Sequence, residues 1–405
     1  MNSAIATSAT TRRPTNWKST AMQRRIRRRY AAERRFKLLG LLAVLASVAV
    51  LLFLLGTMVG NGVRGFTQTE VRVPVNVAAA TGATPSAMQK LTNDAAIATF
   101  GEDGEKLISE GAWLSVRKAA ANREAGPLWV PASVEIDLAA KSTASPEAEA
   151  DYAKLEQAGA IRTTFNWTFL TGADATDPSL VGIWGAVKGS LLTMLVTLVL
   201  AFPIGVCAAI YLEEYATKNR WTDIIEVSIN NLAAVPSIIF GLLGLAVFLN
   251  FFGLPRSAPI VGGLTLALMT MPVIVIAGRN AIKAVPPSIR DAALGIGASN
   301  VQVVFHHVLP LALPGILTGT IIGMSRALGE TAPALMIGMR AFIAAPPQGL
   351  DDPATLLPVQ IFLWSDEVSR GFVEKTSAAI IVLLVVLLAM NALAIYLRNK
   401  FEQRW

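Results

Sequence analysis

The chain has 405 residues, a formal net charge of +7, and 53% hydrophobic against only 16% charged residues. Soluble domains carry roughly a quarter charged residues, so the composition points to a membrane protein rather than a soluble domain. A single cysteine, Cys207, excludes an intrachain disulfide and a cysteine metal site.

The first 37 residues hold eleven Lys or Arg against one acid, Glu33. The cluster RRIRRRYAAERRFK ends where the first long apolar run begins. Such a run can bind nucleic acid, but directly before a span it reads as a cytoplasmic topology anchor. The run is too long for a signal-peptide core and no small-residue cleavage site follows, so it is expected to stay attached.

Apolar runs long enough to cross a bilayer fall at about 38–60, 188–212, 228–252, 258–279, 311–339 and 377–397. The expectation is an all-α protein of six transmembrane helices, with both termini cytoplasmic and the short inner segments basic. Residues 61–182 then lie outside as a small α+β domain between the first two helices. They carry ten basic and fifteen acidic residues. VRVPVNV at 71–77 alternates like an edge strand. Ser145 and Pro146 open a helix as N-cap and first-turn residue. DPSLVGIWGAVKG at 177–189 reads as an interfacial helix with Trp184 at headgroup depth. No catalytic motif is found in 61–182.

His306 and His307 are adjacent, about 100° apart on a helix, and make a poor metal pair. No metal site and no cofactor on this chain are expected. No G-x-x-x-x-G-K-[ST] phosphate loop is present, so the chain is read as no enzyme, and any ATP and its magnesium belong to another chain.

Two charges, Arg326 and Glu330, stand inside the fifth apolar run, in MSRALGETAPAL. Gly315, Gly319 and Gly323 recur every four residues, a spacing that lets helix backbones approach closely. On an ideal helix with Gly315 at 0°, Gly319 falls at about 40°, Gly323 at about 80°, Arg326 at about 20° and Glu330 at about 60°. The charges are therefore expected on the glycine face, packed on a helix or lining a path. A centrally placed Arg costs roughly 2.5–3.5 kcal/mol to insert, and its planar fork suits a tetrahedral oxyanion. Glu330 would orient Arg326 and partly neutralise it. The alternative is an i,i+4 ion pair that joins two helices. Thr331 follows, and Pro333 is expected to break the helix and free backbone groups near the site. Arg279, at the inner end of the fourth run, either receives an anion on exit or is a positive-inside anchor.

Between the fourth and fifth runs lies VPPSIRDAALGIGASNVQVVFHHVLPLALPG, residues 285–315. Pro286 and Pro287 end one segment, Ser288 is a candidate cap, Asp291 favours the dipole of the short helix that follows, and Pro310 is expected to stop it. Its small-residue surface, Ala292, Ala293, Gly295, Gly297 and Ala298, suits a groove on another protein.

Asp291-Ala292-Ala293, then Gly297, His307 and Leu309-Pro310 resemble, at the same spacing, the cytoplasmic loop of ABC-importer permeases. Asp stands for the usual Glu, and His307 for an apolar residue. Over most of 180–400, AVPSIIFGLLGL, RDAALGIGAS and LPGILTGTIIGMSRALGETAPAL are similar to the PstA permeases of phosphate-specific importers. The resemblance implies a type I ABC-importer permease fold and an inner-membrane location. It also implies ATP-driven import of inorganic phosphate, with 283–310 as the loop that couples to an ATPase. The implied partners are the sister permease PstC, two copies of the ATPase PstB and the phosphate-binding protein PstS. The competing readings are import of phosphonate, sulfate or molybdate, and a sensor-transducer with 61–182 as its ligand domain.

Overall fold

The structure is a computed structural model that describes residues 19–123, 126–141, 144–340 and 342–401. The basic segment before Ser19 and the tail residues from 402 lie outside the described residues. The chain divides into two units between Thr57 and Met58. The first holds the greater part of one helix, α1 (Thr20–Gly65), whose apolar side chains from Leu38 to Leu54 are exposed. Lys37 pairs with Glu33 one turn earlier.

The second unit begins with the last turns of α1 and an α+β insert. Its sheet has the order β2-β1-β3, with β1 (Thr67–Val73), β2 (Leu128–Pro131) and β3 (Ile161–Phe165) antiparallel. Val71 pairs with Val130 on one side and Ile161 on the other. Val71 and Val73 are buried and Arg72 is exposed, the period of two that a half-buried strand requires. The strand ends where Pro74 removes a ladder donor, so it lies at 67–73 rather than 71–77, and, paired on both sides, it is the central strand rather than an edge. Helices α2 (Val134–Ala140) and α3 (Pro146–Gln157) follow β2. Ser145 caps α3 as expected, accepting the Ala148 N–H at 3.4 Å. The insert has its own core, in which Val71, Val116, Val130 and Ile136 are fully covered.

The membrane part contains α4 (Trp184–Ile210), α5 (Arg220–Ala233), α6 (Ser237–Gly244), α7 (Pro259–Lys283), α8 (Pro287–Gly295), α9 (Leu309–Gly329), α10 (Ala332–Met336), α11 (Leu357–Ser365) and α12 (Gly371–Phe401). Counting α1, five helices among the described residues are long and apolar enough to cross a membrane. A sixth span is available if the bent pair of α5 with 237–251 counts as one. This is a polytopic, mainly helical membrane fold.

Five expectations for the membrane part are corrected. The run at 228–252 is not one helix. It bends by 100° between Ala233 and Ser237, because Pro236 offers no N–H and disfavours helical backbone at Val235. No separate interfacial helix covers 177–189, and Trp184 opens α4 directly. The fifth span runs from Asn300 to Gly329 rather than 311–339. Pro310 does not stop a helix, since a π-helical stretch, Val303–Val308, leads into α9 and the helix continues past it. Ser288 sits inside α8 and makes no cap there; Pro286 holds that position.

The glycine stripe of α9 packs on α7. A methyl at Gly315 would lie 2.7 Å from Ala281 Cβ, one at Gly323 would lie 3.0 Å from Thr270 Cγ2, and one at Gly319 would run into Ala277. Lys141, 6% exposed, bridges Asp137 of α2 at 2.7 Å and Glu374 of α12 at 2.8 Å. Lys375 donates to the Gly65 carbonyl at 3.0 Å. The insert and the end of α1 are thus fastened to the start of the last helix. Between them, Asp174 accepts from Trp364 of α11 at 3.0 Å.

Gly319→Val is expected to cost about 1–3 kcal/mol by overpacking. It should lower the thermal midpoint of the solubilised protein, and an unchanged midpoint would contradict the close α7–α9 approach. Burial raises the Asp174 pKa, partly offset by the Trp364 hydrogen bond. The folded state therefore holds that proton more tightly than the unfolded chain. The contribution to stability falls as pH rises from the ordinary carboxylate range through the raised pKa. Asp174→Asn keeps the acceptor and should raise the melting temperature at neutral pH, with the gain vanishing in acid. A gain that persisted in acid would contradict this.

Candidate functional site

Two discontinuities in the membrane helices lie side by side. The first is the turn at Val235–Pro236 before α6. The second follows Gly329, where Glu330 is extended (φ −81, ψ 118) and α10 restarts at Ala332. Val235 and Phe240 pack with Met324, Ala327 and Leu328 at the end of α9. The α6 backbone presses on α10, so a methyl at Gly241 would lie 2.7 Å from Pro333 Cα and 2.9 Å from Met336 Cβ. Broken helices expose backbone groups that only protein or a water-lined cavity can satisfy. Transporters place substrate sites at such breaks.

Arg326 stands one turn before the second break. Its side chain is 53% exposed and Glu330 is 21% exposed. Arg326 Nε reaches Glu330 Oε1 at 3.4 Å, a long contact that leaves the terminal nitrogens unengaged among the described residues. The helix ends at Gly329, so Glu330 is not on the ideal wheel; the chain turns and the two charges still meet. The glycine face itself is covered by α7, and Arg326 emerges on an open flank beside it. Thr331 is half-buried just beyond. Pro333 lies inside the short α10, and the break comes before it, at Glu330.

Arg279 is placed differently. Its side chain is 13% exposed and is held by Glu226 at 2.9 Å and Glu213 at 3.3 Å. Lys283 approaches Glu213 at 3.6 Å. The guanidinium is engaged by carboxylates rather than open to a path. Sequence reasoning missed these partners, although the pair Glu213-Glu214 closing an apolar helix was a signal for them.

The 284–310 loop presents a cavity of about 630 Å³ lined in part by Ile289, Ala292, Ile296, His306, His307 and Pro310. Ile296 is 83% exposed at its rim. Asp291 and Ala292 face outward, Ala293 is buried, and Leu309 is half-buried. Gly297 has φ +90°, a conformation that side chains disfavour. Ser299 then opens the next helix with a capping box to Gln302. No group of three or more metal-ligating side chains is found among the described residues.

Long apolar helices, two of them broken, define a polytopic membrane protein. Residues 183–405 match the family model described as "Binding-protein-dependent transport system inner membrane component". The chain belongs to that family. Residues 23–150 match a separate model, a domain of unknown function (DUF3333). The phosphate transport system permease protein PstA 1 of Mycobacterium tuberculosis is 35% identical over 156 residues, 38% of this chain and 51% of that one. The probable ABC transporter permease protein YqgI of Bacillus subtilis is 33% identical over 171 residues, covering 42% and 58%. The matches thus span little more than half of these relatives. The inward-facing MetNI methionine ABC transporter aligns with a TM-score of 0.44 and 19% identity, over 55% of this chain and 98% of that one.

Gly297→Val should cost about 1–3 kcal/mol in backbone strain and loosen the loop. Limited proteolysis of membranes should cut 284–299 faster than in the native chain, and equal rates would contradict the strain argument.

Proposed function

We propose that this chain is the permease subunit of an ATP-driven importer of inorganic phosphate. The observation that carries the reading is Arg326. It is a cation at a helix break in a membrane fold, loosely paired with one carboxylate and open on one flank. The relatives named as phosphate permeases supply the substrate. In this reading the termini are cytoplasmic and the insert faces the outside.

The partners are a sister permease of the PstC kind, two ATPases of the PstB kind and a phosphate-binding protein of the PstS kind. The open flank of Arg326 faces the path shared with the sister permease. The binding protein delivers phosphate to the outer mouth. ATP and magnesium are bound by the ATPases, which dock on Asp291, Ala292, Ala293 and Gly297, with Leu309 and Pro310 at the base of the loop. Closure of the ATPase pair moves α8, and the permeases alternate access around the breaks. Arg326 offers a bidentate fork to the anion. Glu330 neutralises it when the path is empty, and Thr331 offers a hydroxyl beside it. Arg279 serves the inner ion-pair network instead of the anion.

Labelled-phosphate uptake in cells lacking this gene tests the reading. The native chain should restore uptake, and Arg326→Gln at equal membrane levels should lower it by at least about tenfold, the loss of one charge-assisted contact in a poorly hydrated site. Equal uptake by both would remove Arg326 from the path. Uptake abolished by excess sulfate or molybdate would reassign the anion.

A further inference from the structure

Helix α8 is short and thinly packed. Among its nine residues only Ala293 is buried, and its N-cap makes no side-chain hydrogen bond. Apolar contact alone gives it a weak hold on the bundle. One residue supplies a stronger one. Arg290 donates from its terminal nitrogens to the Val285 carbonyl at 2.7 Å and the Ile282 carbonyl at 3.1 Å. It also meets Glu214 Oε1 at 2.6 Å through Nη2 and at 3.2 Å through Nε. Its side chain is 22% exposed and that of Glu214 12%. Ile282 is in the last turn of α7, where a cation is favoured, and its carbonyl also accepts the Val285 N–H at 3.2 Å.

Glu214 lies in the π-helical stretch Tyr211–Tyr215 that ends α4. Its neighbour Glu213 points to α7 and takes Arg279 and Lys283. Consecutive residues of a helical turn point in different directions, so the two adjacent carboxylates reach two different elements. The result is a fork. One prong holds α7, and the other holds the arginine of α8, which itself grips the end of α7.

We propose that Arg290 is a positioning residue that fastens α8 to α4 and α7 through Glu214 and the α7 terminus, so that a push on α8 is delivered to both membrane helices. This rests on the reading of α8 as the ATPase-docking helix. Arg290 touches no substrate. Without it, α8 yields to the ATPase and the membrane helices lag behind.

The complete complex in proteoliposomes gives the test, as ATP hydrolysed per phosphate taken up. Arg290→Gln should assemble and hydrolyse ATP, with that ratio raised at least about fivefold, the lower end of ordinary coupling energies. Arg290→Lys keeps the charge but not the fork and should fall between. Glu214→Gln keeps size and an acceptor and serves if Arg290→Gln assembles poorly. A purely structural pair would lower both rates together and leave the ratio unchanged, which would overturn the proposal. A native complex that moves no phosphate would instead sink the substrate reading. A second measurement does not depend on substrate. Spin labels at Tyr211→Cys, at the end of α4, and Gly295→Cys, both at exposed positions, in a Cys207→Ser background report the α4–α8 separation. Arg290→Gln should broaden that distance distribution, and an unchanged distribution would overturn the proposal on its own.

Discussion

In a bilayer core there is no water to rescue an unpaired backbone group or charge, and this one constraint orders the structure. The chain must bend at Pro236 and restart after Gly329 where its neighbours can absorb the damage. It does so by setting the two breaks against each other, with Gly241 letting α6 lie on Pro333. Prolines elsewhere are carried inside helices, at Pro203, Pro272 and Pro314, and π-helical stretches take up the misfit beside Pro310. Several charges near the membrane ends and in the insert are paired: Arg279, Arg290 and Lys141 each meet a carboxylate at short range. Arg326 instead has a single long contact and an open flank. In the proposed function that open flank is where the anion meets the chain.

Much of this architecture was legible from local pattern. Apolar runs located the membrane helices because hydropathy is read residue by residue. The glycine spacing in α9 announced a close helix contact, and α7 supplies it through Ala277 and Ala281. Ser145 announced a cap, which forms. What failed was whatever depends on the partner. An ideal wheel put Arg326 on the glycine face, but it cannot say that α7 covers that face and leaves the flank open. Nor can it see that the helix stops one residue before Glu330. Glu213 and Glu214 find their arginines 66 and 76 residues away, a separation that no local period encodes. Pro310 read as a stop and proved a passage, because the preceding π stretch had already changed the hydrogen-bond pattern.

The loop surface illustrates a different balance. Gly297 is fixed by backbone geometry, its φ of +90° allowing little else. Ile296 beside it is apolar and almost wholly exposed. It stands beside a cavity rimmed by two histidines. In the proposed function this surface is where the ATPase docks. The polar rim contributed by His306 and His307 makes the groove less uniformly greasy than a core, a property suited to a contact between separately folded chains.

The junction at Lys141 bears on how the molecule is made. Its ammonium is shared between Asp137 and Glu374, partners 4 and 233 residues away. Lys375 reaches back 310 residues to the carbonyl of Gly65. A ribosome delivers the insert and the first span long before the residues that latch them exist. Until the last helix enters the bilayer, Lys141 has only Asp137, which also accepts the Thr69 N–H at 2.9 Å, and Gly65 lacks its donor. The final segment of the nascent chain is therefore the one that closes the structure, and a chain interrupted before Gly371 would hold its insert to the following membrane helix only through nearer contacts, such as the Ile183 N–H on the Phe169 carbonyl at 2.7 Å.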